Sequence, residues 1–347
     1  MARRDISFAS FNLLNLQLPG RAVYTDSDGW DEEVYQRKIN FTASMLARLD
    51  ADVTGFQELW APEALQQALD QAGMTDSHIL LAPPDHTGNR IVCAGAVRRN
   101  MLVGDPEWIT DFPPELVLRS TGDDPQQPAI SVGLRGFSRP VLHMRIRPDP
   151  STPVIEIFVC HFKSRRPTEV WRERDWYERD VHSPHANAIG YALSTIRRTA
   201  EAAALRVLAT RIAKGTDAPV VIIGDMNDGK DSNTLNVLTE QPRYLTTLSR
   251  GGGDNALYAA QVLQEYRSVR DVYYTHIYQD MHDSLDHILV SEQFYDNSRD
   301  RLWRFDDMLV INDHLNWADH KTSGSNDHGI VLARFRWQPP TPAMPIV

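Results

Sequence analysis

Residues 5–14 read DISFASFNLL, with apolar and polar side chains alternating as they do along a half-buried strand. Tyr35, Ile39, Thr42, Leu46 and Leu49 then recur at helical spacing, on a segment that ends at LDAD. A second short strand is predicted over residues 52–59, DVTGFQEL. The helix after it, PEALQQALDQAG, is opened by Pro62 and closed by Gly73. Further strands are expected at residues 79–82, 91–98, 139–147 and 154–162, with the proline-loaded stretch 105–128 as a surface excursion. An alanine-rich helix covers about residues 188–214 and ends at Gly215. Residues 218–225, APVVIIGD, have the composition of a buried strand, and residues 232–239 form the helix after it. GGGDN at 251–255 reads as a turn, YYTHIY and SLDHILVS as a hairpin around QDMHD, and GIVLARFRW as the final strand. No internal repeat and no clean linker divides this pattern, so one domain over residues 1–347 is expected.

Composition narrows the class. With 42% hydrophobic and 24% charged residues the chain can build a substantial core, and no apolar run is long enough to span a bilayer. The N-terminal MARRDISFASFNLL has two arginines but no continuous apolar region, because Asp5, Ser7 and Ser10 interrupt it. No signal peptide is read there. Two cysteines, Cys93 and Cys160, cannot make a disulfide framework; both lie in apolar runs, which suits buried free thiols and a cytoplasmic location. A net charge of −10 argues against a protein that coats nucleic acid with a general basic surface. It leaves room for an enzyme that meets a polyanion locally, through a few arginines and a divalent cation.

Candidate chemistry sits where the strands end. Asn12 follows SFASF, Glu58 follows VTGFQ, His161 follows IEIFVC, Asp225 and Asn227 follow VVIIG, Asp286 precedes HILVS, and Asp327-His328 precedes GIVLARF. Sheets hold converging side chains rigidly at such positions. Carboxylates and an Asn amide are oxygen ligands that suit Mg²⁺ or Mn²⁺ better than zinc. There is no HExxH, cysteine cluster, P-loop or GxGxxG. Each residue alone has an ordinary reading. Asn12 suits a turn, Glu58 a helix cap, Asp225-Met226-Asn227 an Asx turn, and His161 a satisfied core histidine. Five of the twelve histidines follow an Asp, so that dipeptide decides nothing without context. Asp327-His328 stands directly before the last strand. Asp313-His314 follows the apolar MLVI, and Asp319-His320 lies within a polar loop.

The ordered stretches ASFNLLN, GFQELW, VCHFKS, VIIGDMND, LDHILVS and SNDHGIV resemble the endonuclease/exonuclease/phosphatase superfamily, from residue 9 to 331. The resemblance implies an α+β, four-layer α/β/β/α sandwich of two mixed, mainly antiparallel sheets with helices outside. It implies Glu58, Asp327 and Asn12 at a Mg²⁺ or Mn²⁺ site, and Asp225 orienting and deprotonating the attacking water with Asn227 beside it. His328 would contact the scissile phosphate, oriented by Asp286, and His161 would match the histidine of the deoxyribonuclease and sphingomyelinase branches. Asn12, Lys163 and Arg139 are the phosphate contacts. One departure stands out: NRIVCAGAVRRN lacks the acid that orients the first histidine in deoxyribonuclease I, so the partner of His161 is open. The implied activity is metal-dependent phosphodiester hydrolysis, with nucleic acid as the first-choice substrate and inositol phosphates or sphingomyelin as the alternative. A non-catalytic module that keeps the fold is the alternative of another class, and it would show the loss of a key residue. The stretch 163–180 mixes arginines with Trp171, Trp176 and Tyr177, but its five acids against six bases read first as a solvated amphipathic helix. No apolar hairpin for a membrane is evident.

Overall fold

The computed structural model describes residues 4–24, 27–173, 179–244, 256–268, 273–316 and 319–340. The 251–255 turn, Trp176 and Tyr177 lie outside the described residues. The chain runs β1 (Ile6–Leu16), α1 (Glu32–Leu49), β2 (Val53–Leu59), α2 (Pro62–Gln71), β3 (His78–Leu81), β4 (Val92–Arg98) and β5 (Glu107–Asp111). A two-stranded ribbon of β6 (Leu118–Arg119) and β7 (Ser131–Val132) precedes β8 (Gly136–Ile146) and β9 (Ile155–His161). Then come α3 (Arg179–His182), α4 (Ala186–Ala213), β10 (Val220–Asp225), α5 (Asn233–Thr239), β11 (Tyr258–Ala259), α6 (Ala260–Glu265), β12 (His276–Tyr278) and β13 (Met281–Asp283). The last elements are β14 (Asp286–Val290), β15 (Trp303–Ile311), α7 (His320–Ser323) and β16 (Ile330–Trp337).

Two six-stranded sheets result, ordered β15-β16-β1-β2-β4-β3 and β11-β14-β10-β9-β8-β5. Each is antiparallel except at one central pair, β1 with β2 and β9 with β10. Alternation explains the layering. Ile6 and Phe8 of β1 face the second sheet and pack with Ile157 and Val159 of β9 and Val221 and Ile223 of β10. Ala9, Phe11 and Leu13 turn the other way, onto Tyr35, Ile39 and Leu46 of α1 and Leu65 of α2. On the far side, Phe158, Cys160 and Ile222 pack on Ala202 and Leu205 of α4 and Leu235 of α5. These layers are the expected α/β/β/α sandwich. Both cysteines are buried and free, and burial pushes the Cys93 thiol up to about 12.

Two expectations need correction. The excursion at 105–128 contains an edge strand, because Trp108 and Ile109 of β5 pair with Leu142 and Val141 of β8. The hairpin has a different partner: β12 pairs with β13, not with the LDHILV strand. Gln279 and Asp280 both take positive φ, 49° and 63°, and this supports a tight two-residue turn before Met281. LDHILV, buried throughout, lies instead between β10 and β11.

The sheets pack tightly at Gly55, where an added Cβ would lie 2.9 Å from Val159 Cγ1 and 3.0 Å from Ile223 Cγ2. Gly55→Ala is expected to cost about 1–3 kcal/mol in denaturant unfolding, through overpacking. Gly133→Ala, whose Cβ would meet nothing within 4 Å, should stay within about 0.5 kcal/mol of the parent.

Candidate active site

Three neighbouring strands of the second sheet bring their ends into one rung. Asp225 at the end of β10 is in register with His161 of β9 on one side and with Asp286 of β14 on the other. Gly224 makes the approach possible, since a Cβ there would sit 2.0 Å from the Cys160 carbonyl oxygen. Beyond Asp225 the chain turns sharply. Asn227 adopts φ 53°, its N–H donates to Asp225 Oδ1 at 2.9 Å, and its Nδ2 donates to the Phe162 carbonyl at 3.0 Å. The Asx turn and the site residue are therefore the same structure.

The first sheet supplies the opposing groups. Asn12 Nδ2 donates to Asp225 Oδ2 at 3.1 Å, across the space between the sheets. The β1–β2 register shifts just past Asn12, and Glu58 takes φ 59°. That bend brings Glu58 Oε2 to the Asn15 N–H at 3.1 Å, and the Ala61 cap of α2 makes no use of it. From the start of β16, His328 Nδ1 meets Asp286 Oδ2 at 2.8 Å, while its Nε2 lies 3.9 Å from Asp225 Oδ2. His161 Nε2 is 3.4 Å from the same Asp225 oxygen. Asp225 is thus the carboxylate that faces His161, for which the sequence showed no orienting acid.

Electrostatics separates these groups. Burial first, and then the nearby Arg139, His328 and Lys163 charges, hold His161 well below the ordinary histidine value, so it is neutral. His328 is also buried, which opposes charge, but Asp286 and Asp225 overcome this and raise it well above that value. Burial pushes Asp225 up to about 7, partly offset by His328. Glu58 is raised by burial and then by the Asp327 charge. The Glu58 carboxyl, raised in this way beside the Asp327 charge, belongs to a donor set of oxygens fitted to a hard divalent cation. Among the described residues, His276, Asp327 and His328 form one cluster with metal-ligand spacing, and Asp225, Asp286 and His328 another. Asp286 Oδ1 is buried with no hydrogen-bond partner among the described residues.

The two basic candidates stand beside this rung. Arg139 donates from one guanidinium nitrogen to the Phe162 carbonyl at 3.0 Å. Lys163 is held by its backbone N–H, which donates to the buried Glu201 carboxylate at 2.7 Å, and burial lowers its amine to about 8. The other Asp-His pairs have supporting positions. His314 Nε2 donates to the His328 carbonyl at 2.8 Å, and Asp319 caps α7 through the Lys321 N–H. His320 is half-buried rather than exposed, with Nδ1 3.1 Å from Ser325 Oγ.

Three further residues join the site. Lys38 of α1 is fully buried, its Nζ donating to Asn326 Oδ1 at 3.2 Å and lying 4.8 Å from the Trp30 ring centre. Asn326 Nδ2 in turn donates to the Asn12 carbonyl, so hydrogen bonds run from Lys38 through Asn326 and Asn12 to Asp225. The signal for Lys38 was present: it falls three residues after Tyr35 on the apolar face of α1. Asn326 directly precedes Asp327-His328 in the SNDHGIV stretch. His276 had no comparable signal, because its strand is too short to show a period; its ring centre lies 5.0 Å from that of His328.

A sequence profile described as "Endonuclease/Exonuclease/phosphatase family" matches residues 9–325. No curated protein matches the sequence significantly. Among solved structures, the human Nocturnin catalytic domain with bound sulfate superposes with a TM-score of 0.54 at 14% identity, covering 97% of this chain and 96% of that one. D. rerio TDP2 complexed with single strand DNA product gives 0.54 at 16%, covering 96% and 99%. The Bacteroides thetaiotaomicron mannosyl-6-phosphatase Bt3783 gives 0.52 at 14%, covering 96% and 100%. At these identities the likeness is one of fold.

Burial lowers the Lys38 amine from its ordinary 10.5 to about 7, against the pull of Asp327 and Glu58. Between those values the unfolded chain binds the proton and the folded protein releases it, so this residue's contribution to stability rises with pH. Relative to Lys38→Met, the wild-type melting temperature should therefore gain as pH is raised from about 7 to about 10, measured by differential scanning calorimetry.

Proposed function

The chain belongs to the endonuclease/exonuclease/phosphatase family, and on that premise we propose that it is a divalent-metal-dependent phosphodiester hydrolase acting on nucleic acid as one domain. The observation that carries this reading is the pair of histidines facing Asp225 Oδ2, His161 held neutral and His328 held cationic. Ionisable groups whose environments push them apart mark out acid and base roles.

Asp225 is the base. A carboxyl raised to about 7 accepts a proton near neutral pH, and Asn12 and Asn227 fix its two oxygens. A water molecule beside it loses its proton to Asp225 as its oxygen bonds to phosphorus; the leaving P–O bond breaks, and its oxygen departs with the bonding pair and takes up a proton from solvent. His328, kept protonated by Asp286, presents Nε2–H to a phosphate oxygen where negative charge accumulates. His161 contributes a neutral ring on the opposite side of Asp225, and Arg139 and Lys163 offset the remaining charge of the diester. Glu58 and Asp327, with Asn12 beside them, would hold Mg²⁺ or Mn²⁺. When bound, the ion supplies Lewis-acid stabilisation of the phosphate oxygens and neutralises the two acids.

Hydrolysis of bis-p-nitrophenyl phosphate, plasmid DNA, sphingomyelin and an inositol phosphate should be compared side by side with Mg²⁺ or Mn²⁺. EDTA-sensitive cleavage of the diesters, DNA included, is expected; no EDTA-sensitive activity on any of them would falsify the enzyme reading and favour a binding module. Asp225→Ala and His328→Ala should each lower turnover by about 10²–10⁴-fold, as loss of a positioned acid or base does. His314→Ala removes only a hydrogen bond to the His328 backbone and should cost far less.

A further inference from the structure

Alongside the Asp225 rung the cleft continues into a cavity of about 620 Å³. It is lined by Arg139 and Lys163 at the site end and by Tyr24, Trp60, Asn89 and Arg90 farther out. A second cavity of about 520 Å³ shares Asn89 and Arg90 with the first and continues to Trp108. Each volume falls in the range of pockets that enclose a small organic ligand. Two such spaces joined over one ridge form a groove that leads away from the proposed reaction centre.

We propose that this groove holds the single-stranded flank of a nucleic-acid substrate, with one base against Tyr24 and successive phosphates on Arg139 and Arg90. The proposal rests on the hydrolase reading for its scissile bond and on the groove for everything else. Charge is the first support. The protein carries −10 overall, yet the inner cavity is lined by three cations and no acid. Among the described residues neither Arg90 nor Arg139 forms an ion pair, so both are available to an anion. The outer cavity contains one acid, Asp85, which places the strongest anion site near the reaction centre.

The second support is the aromatic wall. Trp60 is 5% exposed and Tyr24 52% exposed, with ring centres 5.2 Å apart and planes at 86°. Trp60 therefore buttresses a tyrosine that is itself half exposed. A flat heterocycle carrying phosphate satisfies both halves of the cavity, ring on Tyr24 and anion on Arg139. An inositol phosphate would use only the cations.

The walls are also built in advance. Trp60 Nε1 donates to Asn15 Oδ1 at 2.9 Å, His86 Nε2 donates to the Trp60 carbonyl at 2.8 Å, and the buried Gln17 donates to the Gly88 carbonyl at 3.0 Å. Trp108 Nε1 is anchored on the Cys93 carbonyl at 3.0 Å. A ligand entering the groove therefore orders little more than the tips of Tyr24 and Arg90.

The test is calorimetric titration with 5′-phosphorylated oligothymidylates of one to four nucleotides, in EDTA so that binding is read without turnover. Affinity should rise with each nucleotide up to three and then level off. Tyr24→Ala and Arg90→Ala should each weaken the trimer by about tenfold. Inositol 1,4-bisphosphate should bind more weakly than the trimer and be insensitive to Tyr24→Ala. Affinity independent of length, or inositol bisphosphate binding as tightly as the trimer, overturns the proposal. Wild-type turnover of bis-p-nitrophenyl phosphate is measured in parallel. Length-dependent binding without turnover would uphold the groove and refute the hydrolase, whereas turnover without length dependence would refute the groove alone.

Discussion

The hydrogen bond from Asn12 Nδ2 to Asp225 Oδ2 joins the two sheets at the point where the site lies. It is short only because both sheets are seated in a single packing arrangement, with Gly55 allowing Val159 and Ile223 to close on the first sheet. A slip of one residue in β10 would turn Asp225 away from Asn12 and separate it from His161 and Asp286. The site is therefore a readout of strand register. Its strand-end residues, Asn12, His161, Asp225 and Asp286, inherit the rigidity of two buried sheets.

Charge is arranged around that bond in a graded way. Asp286 holds His328 cationic, Asp225 sits between a cationic and a neutral histidine, and Glu58 and Asp327 leave an excess of negative charge on the far side. Lys38 lies behind this excess, tied through Asn326 to the Asn12 backbone. The proposed phosphodiester and divalent cation would together complete the balance that these groups leave open. The same logic applies to a strongly anionic chain whose Arg90 and Arg139 form no ion pair among the described residues: repulsion over most of the surface leaves an anion few other places to settle.

Much of this was legible in the residues. The alternation in β1 and the near-continuous apolar runs of β9, β10 and β14 marked strands buried on one or both faces, and the polar residues ending them are the ones that meet. What escaped was set by tertiary context. β12 and β13 are three residues each, too short for a period, so LDHILV looked like the natural hairpin partner. β5 hid among prolines because an edge strand needs only a few paired residues. His276 is brought to His328 by that short hairpin, and nothing local predicts it. Lys38 lay on an apolar helical face, where a lysine is easily read as a surface residue whose stem only brushes the core. The partner of His161 was invisible for a different reason: it is Asp225 itself, a residue already assigned elsewhere, so no additional acid existed to be found.

Strand β16 lies between β15 and β1, although β1 opens the described chain and β16 is its last element. During synthesis on the ribosome, the first sheet therefore waits with an unfilled slot beside β1 until the segment carrying Asp327, His328 and β16 has emerged. A chain that stopped before residue 327 would lack His328 and the strand that pairs with β1 together. Loss of that one segment would therefore remove a wall of the candidate site and leave β1 and β15 without their shared partner in the same step.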